Sequence, residues 1–334
     1  MPDFAAVASD QHSGWRAQMA AQIAQAYAVD SDVAAVYLAG SVARGWADRF
    51  SDIELDVFWH RPPRDIQRQA ALERAGAVVH VDWSSPPDEA TYRQLLVRHS
   101  GQLSQIWPYE ELEWSEHFYV DGFNIGVSAF LVETMESWLA DVVERNDTDD
   151  DKHMRVAALQ HAVPLHGREL VDGWQARVTY PDSLARAVID ELLGVQDRWW
   201  DVDFLVARDA FIPRTDLLVR MERWLLRLLL AVNRIYLPDP RFKWADRLVS
   251  QMAVKPDGLA ERLREVLRAE PADSVAIVQA LAGETLDLID LHLPGCDTGF
   301  ARTWLGYRRV APSPTLTHPR TLTLTRLDIE EEDE

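Results

Sequence analysis

The sequence predicts an α+β fold: a mixed sheet with flanking helices, followed by a C-terminal helical bundle. Three observations predict it. Runs with strand character, apolar or alternating with period 2, are confined to the first half of the chain. One of them, "AAVYLAGS", ends in Gly40-Ser41, and ten residues later comes the alternating "DIELDVFW". After about residue 178 the strand signals stop and apolar positions recur at helical spacing.

The elements follow in order. Trp15, Met19, Ile23 and Tyr27 stand at i+4 steps and predict a helix over 14–29. "AAVYLAGS" is a short strand closed by Gly40-Ser41, and "DIELDVFW" is a second strand that Pro62-Pro63 stop. "DIQRQAALERAG" is a helix closed by Gly76, and "AVVHVDW" is another strand. Pro86-Pro87 and Trp107-Pro108 bracket a helical piece. Asp121-Gly122 between "SEHFYV" and "FNIGVSAF" is a hairpin signal. The helix "VETMESWLADVVERN", an acidic turn "DTDDD" and a helix from residue 153 follow, before a loop at His166-Gly167. Beyond Pro181, Leu184, Val188, Leu192, Val195, Trp199, Val202 and Val206 form one helical stripe, with Asp182 or Ser183 as N-cap. "RTDLLVRMERWLLRLLLAVNRIYL", "GLAERLREVLRAE" and "DSVAIVQALAGETLDLIDLHL" complete a bundle.

Composition bounds the function. Apolar residues make up 47% of 334, enough for an extensive core. The net charge of −20 repels a phosphate backbone, so no nucleic-acid partner is expected; it attracts a polycationic small molecule. Cys296 is the single cysteine, which rules out a disulfide framework within the chain. No stretch has the length of a membrane span, and "MPDFAAVASDQHSG" lacks the charged and apolar regions of a signal peptide. The expected setting is cytoplasmic, with no membrane partner. "LDIEEEDE" is an acidic tail, expected to be disordered.

The chemistry concentrates in "GSVARGWADRFSDIELDVF". Side chains alternate along a strand, so Asp52 and Glu54 share a face with their Cα atoms roughly 6.5–7 Å apart. Carboxylates at that spacing can converge on one divalent ion or bridge two held about 3.5–4 Å apart. Without a cation they raise each other's pKa; hard oxygen donors suit Mg²⁺. Gly40-Ser41 offers backbone N–H groups and a hydroxyl where no Cβ intrudes, and Arg44 can reach a phosphate. Phosphates beside a carboxylate-held Mg²⁺ are the setting of phosphoryl or nucleotidyl transfer.

These residues resemble the signature of the DNA polymerase β-like nucleotidyltransferase superfamily: Gly-Ser, a spacer of about ten, then Asp-x-Asp/Glu on a strand. Arg44-Gly45 and Ser51-Asp52 fit its "RG…SD" form. A looser resemblance, carried by "SDIEL", the later hairpin and the helix "AVIDELLGVQDRWW", is to the kanamycin (aminoglycoside) nucleotidyltransferases. The resemblance implies a polymerase-β-like domain over 1–178, an acceptor-binding bundle over 179–310 and a tail over 311–334. It implies Asp52 and Glu54 as catalytic metal ligands for Mg²⁺, two ions in all, and Gly40, Ser41 and Arg44 at the phosphates of ATP or another nucleoside triphosphate.

Two family positions are not filled. The strand matched to the third carboxylate has Gly126, and the helix position matched to the general base has Gly194, with Arg198 in place of the family's lysine. Candidates for the third ligand are Asp82 in "VVHVDW", Glu116 in "WSEHFYV" and Asp56, which is on the right face but about 7 Å further along. Glu191, beside Gly194 and seven residues before Arg198, is the candidate base. Lys243, after "LPDPRF", is a candidate for the triphosphate. The acidic stripe of Asp190, Asp197 and Asp201 reads as a solvated face; Trp107 and Trp114 could stack on a base or sugar; His80 and His117 read as structural.

The expected function is Mg²⁺-dependent transfer of a nucleoside monophosphate, AMP from ATP, to a hydroxyl of a small-molecule acceptor such as an aminoglycoside-like antibiotic. A protein AMPylase and a catalytically silent nucleotide- or ligand-binding member are the alternatives. The looser resemblance also allows a homodimer.

Overall fold

The computed structural model describes residues 11–307 except 79, 83–84, 86, 107–113 and 195–201, with backbone alone at His80 and Asp82. The expected Trp107, Asp197, Arg198 and Asp201 and the tail over 311–334 lie outside the described residues.

One seven-stranded mixed sheet forms the first half. Its strands are β1 (Val33–Leu38), β2 (Ile53–Trp59), β3 (His80–Asp82), β4 (Ser104–Ile106), β5 (Trp114–Val120), β6 (Phe123–Leu131) and β7 (Val163–His166). Their spatial order is β3-β4-β5-β6-β2-β1-β7. β2 lies parallel to β6 and antiparallel to β1. The β5–β6 hairpin turns at Asp121 (φ 50°) and Gly122 (φ 82°), both left-handed as a two-residue hairpin needs. The α+β class, the mixed sheet and the helical C-terminal half are as expected.

β3 falls within the expected strand "AVVHVDW", while two strands escape the sequence patterns. β4 has three residues, too few for a period to register. β7 contains Pro164, which argues against a central strand, but β7 is the edge, paired only to β1.

The helices that frame the sheet are α1 (Gly14–Ala28), the short turn α2 (Gly40–Ala43), α3 (Asp65–Arg74), α4 (Glu89–Arg98), α5 (Val132–Arg145), α6 (Asp150–Gln160) and α7 (Arg168–Arg177). The C-terminal part holds α8 (Asp182–Gly194), α9 (Val202–Ala207), α10 (Phe211–Val232), α11 (Ala245–Gln251), α12 (Leu259–Val266), α13 (Pro271–His292) and α14 (Gly299–Gly306). α11, seven residues long, is too short to have been read from periodicity, and α14 was not read either. Among the described residues no helix is long and apolar enough to cross a membrane.

The two faces of β2 have different fates. Ile53, Leu55 and Val57 are buried with α1 and α3 against Ile23, Tyr27 and Leu72. On the other face Phe58 joins Tyr37, Phe130 and Trp174 in a cluster that also contains Leu184, Val188 and Leu228 of the helical part. The sheet and the bundle therefore share a core. Along that second face the strand runs from buried Phe58 through Asp56 to exposed Glu54, so the face opens from apolar packing into a cleft.

A separate hollow of about 260 Å³ lies between α10, α11 and α12, lined by Val219, Leu226, Val249 and Leu263 around Glu222. Glu222 Oε1 is buried with no hydrogen-bond partner among the described residues, and burial pushes the carboxyl up from 4.5 to about 7. The folded state thus holds this proton to a higher pH than the unfolded chain does. The group's contribution to stability is complete below about 4.5 and is lost as pH rises to about 7. The shift taken in full is worth about 3 kcal/mol, and solvent at the hollow's mouth screens it to about 1–2 kcal/mol. Glu222→Leu is expected to raise the unfolding free energy measured in urea at pH 8 by that amount relative to the parent, and to leave the two closer at pH 5. An equal difference at both pH values contradicts the assignment.

Candidate active site

The cleft is a cavity of about 310 Å³ at the sheet's open end, walled by the α2 turn, β2, β5, β6, α6 and the loop before α11. Register brings its first two walls together. Leu38 pairs with Leu55, and the Ala39 N–H donates to the Glu54 carbonyl at 2.9 Å, so the chain leaves β1 beside Glu54. Gly40 then takes φ +64°, and a Cβ placed on it would stand 1.5 Å from Glu54 Oε2. Only glycine satisfies both the left-handed backbone and that contact. The following residues make the single turn of α2, whose first N–H groups have no partner within the turn. Ser41, buried, and Gly40 both line the cavity.

Asp52 is held by its own loop. Ser51 Oγ donates to Asp48 Oδ1 at 3.0 Å and accepts from the Asp48 N–H at 2.9 Å, closing "DRFS" into a turn. Arg16 of α1, itself buried, donates from Nε to the Ser51 carbonyl at 3.0 Å. That clamp fixes where β2 begins and therefore where Asp52 and Glu54 sit. Both line the cavity, as the alternation of the strand requires.

Glu54 carries the electrostatic signature of the site. Burial raises its pKa, and the charges of Asp52 and Asp56 raise it further, while Lys243 and Arg44 oppose them. The carboxylate still reaches solvent through the cavity mouth, so screening tempers the shift. Crowded like charges of this kind are relieved by a bound cation. Among the described residues no three His, Cys, Asp or Glu side chains converge on one metal position. Asp52 and Glu54 are the pair that could hold Mg²⁺, an ion commonly bound by one or two carboxylates together with waters and substrate phosphates.

The other expected site residues divide. Lys243 is brought into the cavity from a loop nearly 190 residues away in sequence, beside Arg241. Between them Phe242 adopts φ 54° and is buried in the bundle core, leaving its two cationic neighbours on the cavity side. Arg44 lines the cavity too, but its Nη2 donates to the Ala157 carbonyl of α6 at 3.1 Å and its guanidinium lies 5.6 Å from the Trp46 ring. Burial lowers its pKa, with Glu54 opposing. It anchors α6 beside the α2 turn.

Three expectations are corrected. Asp82 belongs to β3, four strands from β2, a separation of about 19 Å that excludes a shared ion. Glu116 points to the opposite face of β5 from the cavity: it is 1% exposed and accepts from Arg68 Nε of α3 at 2.6 Å. Glu191 is exposed on α8 and does not line the cavity; its charge is felt at Asp150, which pairs with Arg227 at 2.6 Å. Asp56 does line the cavity, 3% exposed, with Arg155 of α6 at 3.9 Å and the Tyr37 hydroxyl nearby. Trp114, 2% exposed, belongs to the core rather than to a stacking surface.

Arg155, Arg241 and His117 were not picked as site residues from the sequence. Nothing local marks the first two: each is one arginine among many, and only packing of α6 and of the 238–244 loop against the sheet end makes them neighbours of Glu54. His117 had a signal. It stands on the hairpin strand facing Gly126, and alternation puts it on the face opposite Glu116.

No protein-family model matches the chain, and no curated protein does. Among solved structures the chain is similar to the crystal structure of a nucleotidyltransferase-like protein from Exiguobacterium sibiricum 255-15. The identity is 11% and the TM-score 0.38, over 82% of this chain and 75% of that one. The functional reading therefore rests on the geometry of the cavity itself.

Proposed function

We propose that this protein is a nucleotidyltransferase that moves a nucleoside monophosphate from a nucleoside triphosphate, ATP in the simplest case, to a hydroxyl of a small-molecule acceptor. The observation that carries the reading is the meeting, in one cavity, of the Asp52–Glu54 pair, the Gly40-Ser41 turn and the cations Arg241 and Lys243. Acids on one wall and cations on another suit a metal-bound polyphosphate, which needs both. Asp52 and Glu54 fit Mg²⁺, which when bound would polarise the phosphates and offset their charge. The Gly40 and Ser41 backbone would receive phosphate oxygens where a larger residue could not stand. Lys243 and Arg241 would offset the charge that builds on the departing pyrophosphate. The acceptor hydroxyl attacks the α-phosphorus in line with that departure. Asp56 and Arg155, deeper in the cavity, are placed to bind the acceptor's polar groups.

A second reading, a binding protein without transfer, is favoured by one observation. Gly126 stands next to Glu54 in the β2–β6 register and brings no carboxylate. The two separate in one assay: pyrophosphate release from ATP and Mg²⁺ with a panel of aminoglycosides, amino sugars and simple alcohols, read after pyrophosphatase. Acceptor-dependent release is expected. ATP binding by calorimetry with no release from any acceptor selects the binder, and no binding of ATP overturns both.

A further inference from the structure

We propose that His117 is the general base of this site, taking the proton from the acceptor hydroxyl as that oxygen attacks the α-phosphorus. The inference rests on the nucleotidyl-transfer reading and deepens it. Glu54, Gly126 and His117 form one row across three adjacent strands: Glu54 pairs with Gly126 in parallel, and Gly126 with His117 in antiparallel register. All three line the cavity. The middle of the row has no side chain, and His117 leans over it. A Cβ on Gly126 would stand 3.6 Å from His117 Cε1 and 3.8 Å from Nδ1, an ordinary packing distance. The imidazole thus covers the place beside Glu54 that a residue 126 side chain would take.

The other candidates for this task are placed elsewhere or already engaged. Glu116 is buried against Arg68 on the far face, Glu191 is outside the cavity, and Asp56 is paired with Arg155 at the cavity floor. Asp52 and Glu54 would be engaged as anions by the cation they fit. His117 is exposed to the cavity, and a neutral imidazole has one ring nitrogen with a lone pair that can accept a proton. The chemistry balances without a further reactant. The acceptor O–H proton passes to that nitrogen, giving imidazolium, as the O–Pα bond forms. The bond from Pα to the bridging oxygen breaks, and its electron pair leaves on pyrophosphate. Solvent then takes the proton from the ring.

A base of this kind is worth about 10²–10⁴-fold in turnover. His117→Ala is expected to lower kcat for pyrophosphate release at least a hundredfold, with Mg²⁺·ATP affinity by calorimetry within twofold of the parent. Exogenous imidazole is expected to restore part of the rate, which a purely structural role for the ring does not allow. A second variant, Gly126→Asp in the His117→Ala background, places a carboxylate at the vacated position and is expected to recover activity as well. Undiminished kcat in His117→Ala overturns the proposal. So does a loss that neither imidazole nor Gly126→Asp repairs, or one matched by a loss of Mg²⁺·ATP affinity. A parent chain that binds Mg²⁺·ATP but releases no pyrophosphate fails the transfer reading and this proposal with it, whereas an active parent with an equally active variant fails this proposal alone.

Discussion

Replacing Asp52 by Ala is expected to abolish acceptor-dependent pyrophosphate release, with a loss of about a thousandfold or more, or about 4 kcal/mol of barrier. The size follows from what the carboxylate is asked to do. Among the described residues Asp52 and Glu54 are the only acids of the cavity besides Asp56 and Asp239, and those two are paired with Arg155 and Arg241. With Asp52 gone, Glu54 faces a divalent ion alone, so the affinity for Mg²⁺·ATP is also expected to fall, by tenfold or more. The fold is not expected to suffer. Asp52 is partly exposed, and its loop is closed by hydrogen bonds of Asp48, Ser51 and Arg16 that do not use the Asp52 carboxylate, while Asp48 also supports the Arg16 charge. Removing one of three crowded acids relieves Glu54, whose pKa Asp52 helps to raise. Thermal unfolding of Asp52→Ala is therefore expected at or slightly above the parent temperature. Intact pyrophosphate release in this variant contradicts the assignment of the site.

The largest effect on stability is expected at Arg68. Its guanidinium is 1% exposed and spans from α3 to β5, donating to Glu116 Oε1 at 2.6 Å, to the Ser115 carbonyl at 3.3 Å and to Asp65 at 3.3 Å. Removing one partner of a buried pair leaves a charge without compensation, at a cost of about 3–5 kcal/mol. For a chain of this size Arg68→Met is expected to lower the unfolding temperature by roughly 4–7 °C. The loss has a pH signature. Burial already raises the Glu116 carboxyl, and Arg68 is the main group opposing it. Without Arg68 the carboxyl rises further, so the folded state holds a proton that the unfolded chain releases near its ordinary value. Stability then falls more steeply as pH rises above the ordinary carboxylate range, and the variant is expected to lose progressively more than the parent there. Arg68→Met combined with Glu116→Leu removes both charges and is expected to recover most of the loss. A double variant no better than the single one places the cost in packing instead. The pair also bears on the site, because it fixes the strand face from which His117 looks into the cavity.

Much of this was legible in the chain. Strand alternation alone puts Asp52 and Glu54 on one side of "DIELDVFW", and the run to Gly40-Ser41 is short enough that a β1–β2 pairing must bring them together. The hairpin at Asp121-Gly122 and the helices beyond Pro181 followed from turn chemistry and periodicity. What failed were placements across the sheet. Asp82 and Glu116 were both acids on strands, and no local pattern distinguishes a strand four places away, or a side chain on the wrong face, from one at the site. Glu191 failed for the same reason on a helix: its neighbourhood was set by how α8 packs on α5, α10 and α14, not by its spacing from other residues.

By itself, then, the sequence determined the acidic pair, the glycine turn beside it and the α+β class, because these depend on dihedral periods and short-range register. The tertiary structure alone decided which distant side chains close the cavity. Lys243 and Arg241 arrive because Phe242 is drawn into the bundle core, Arg155 because Arg44 fastens α6 to the α2 turn, and His117 because Glu116 is buried against Arg68 on the other face. Each is positioned by apolar burial or by the need to satisfy a buried polar group, forces that act between elements and leave no period in the chain.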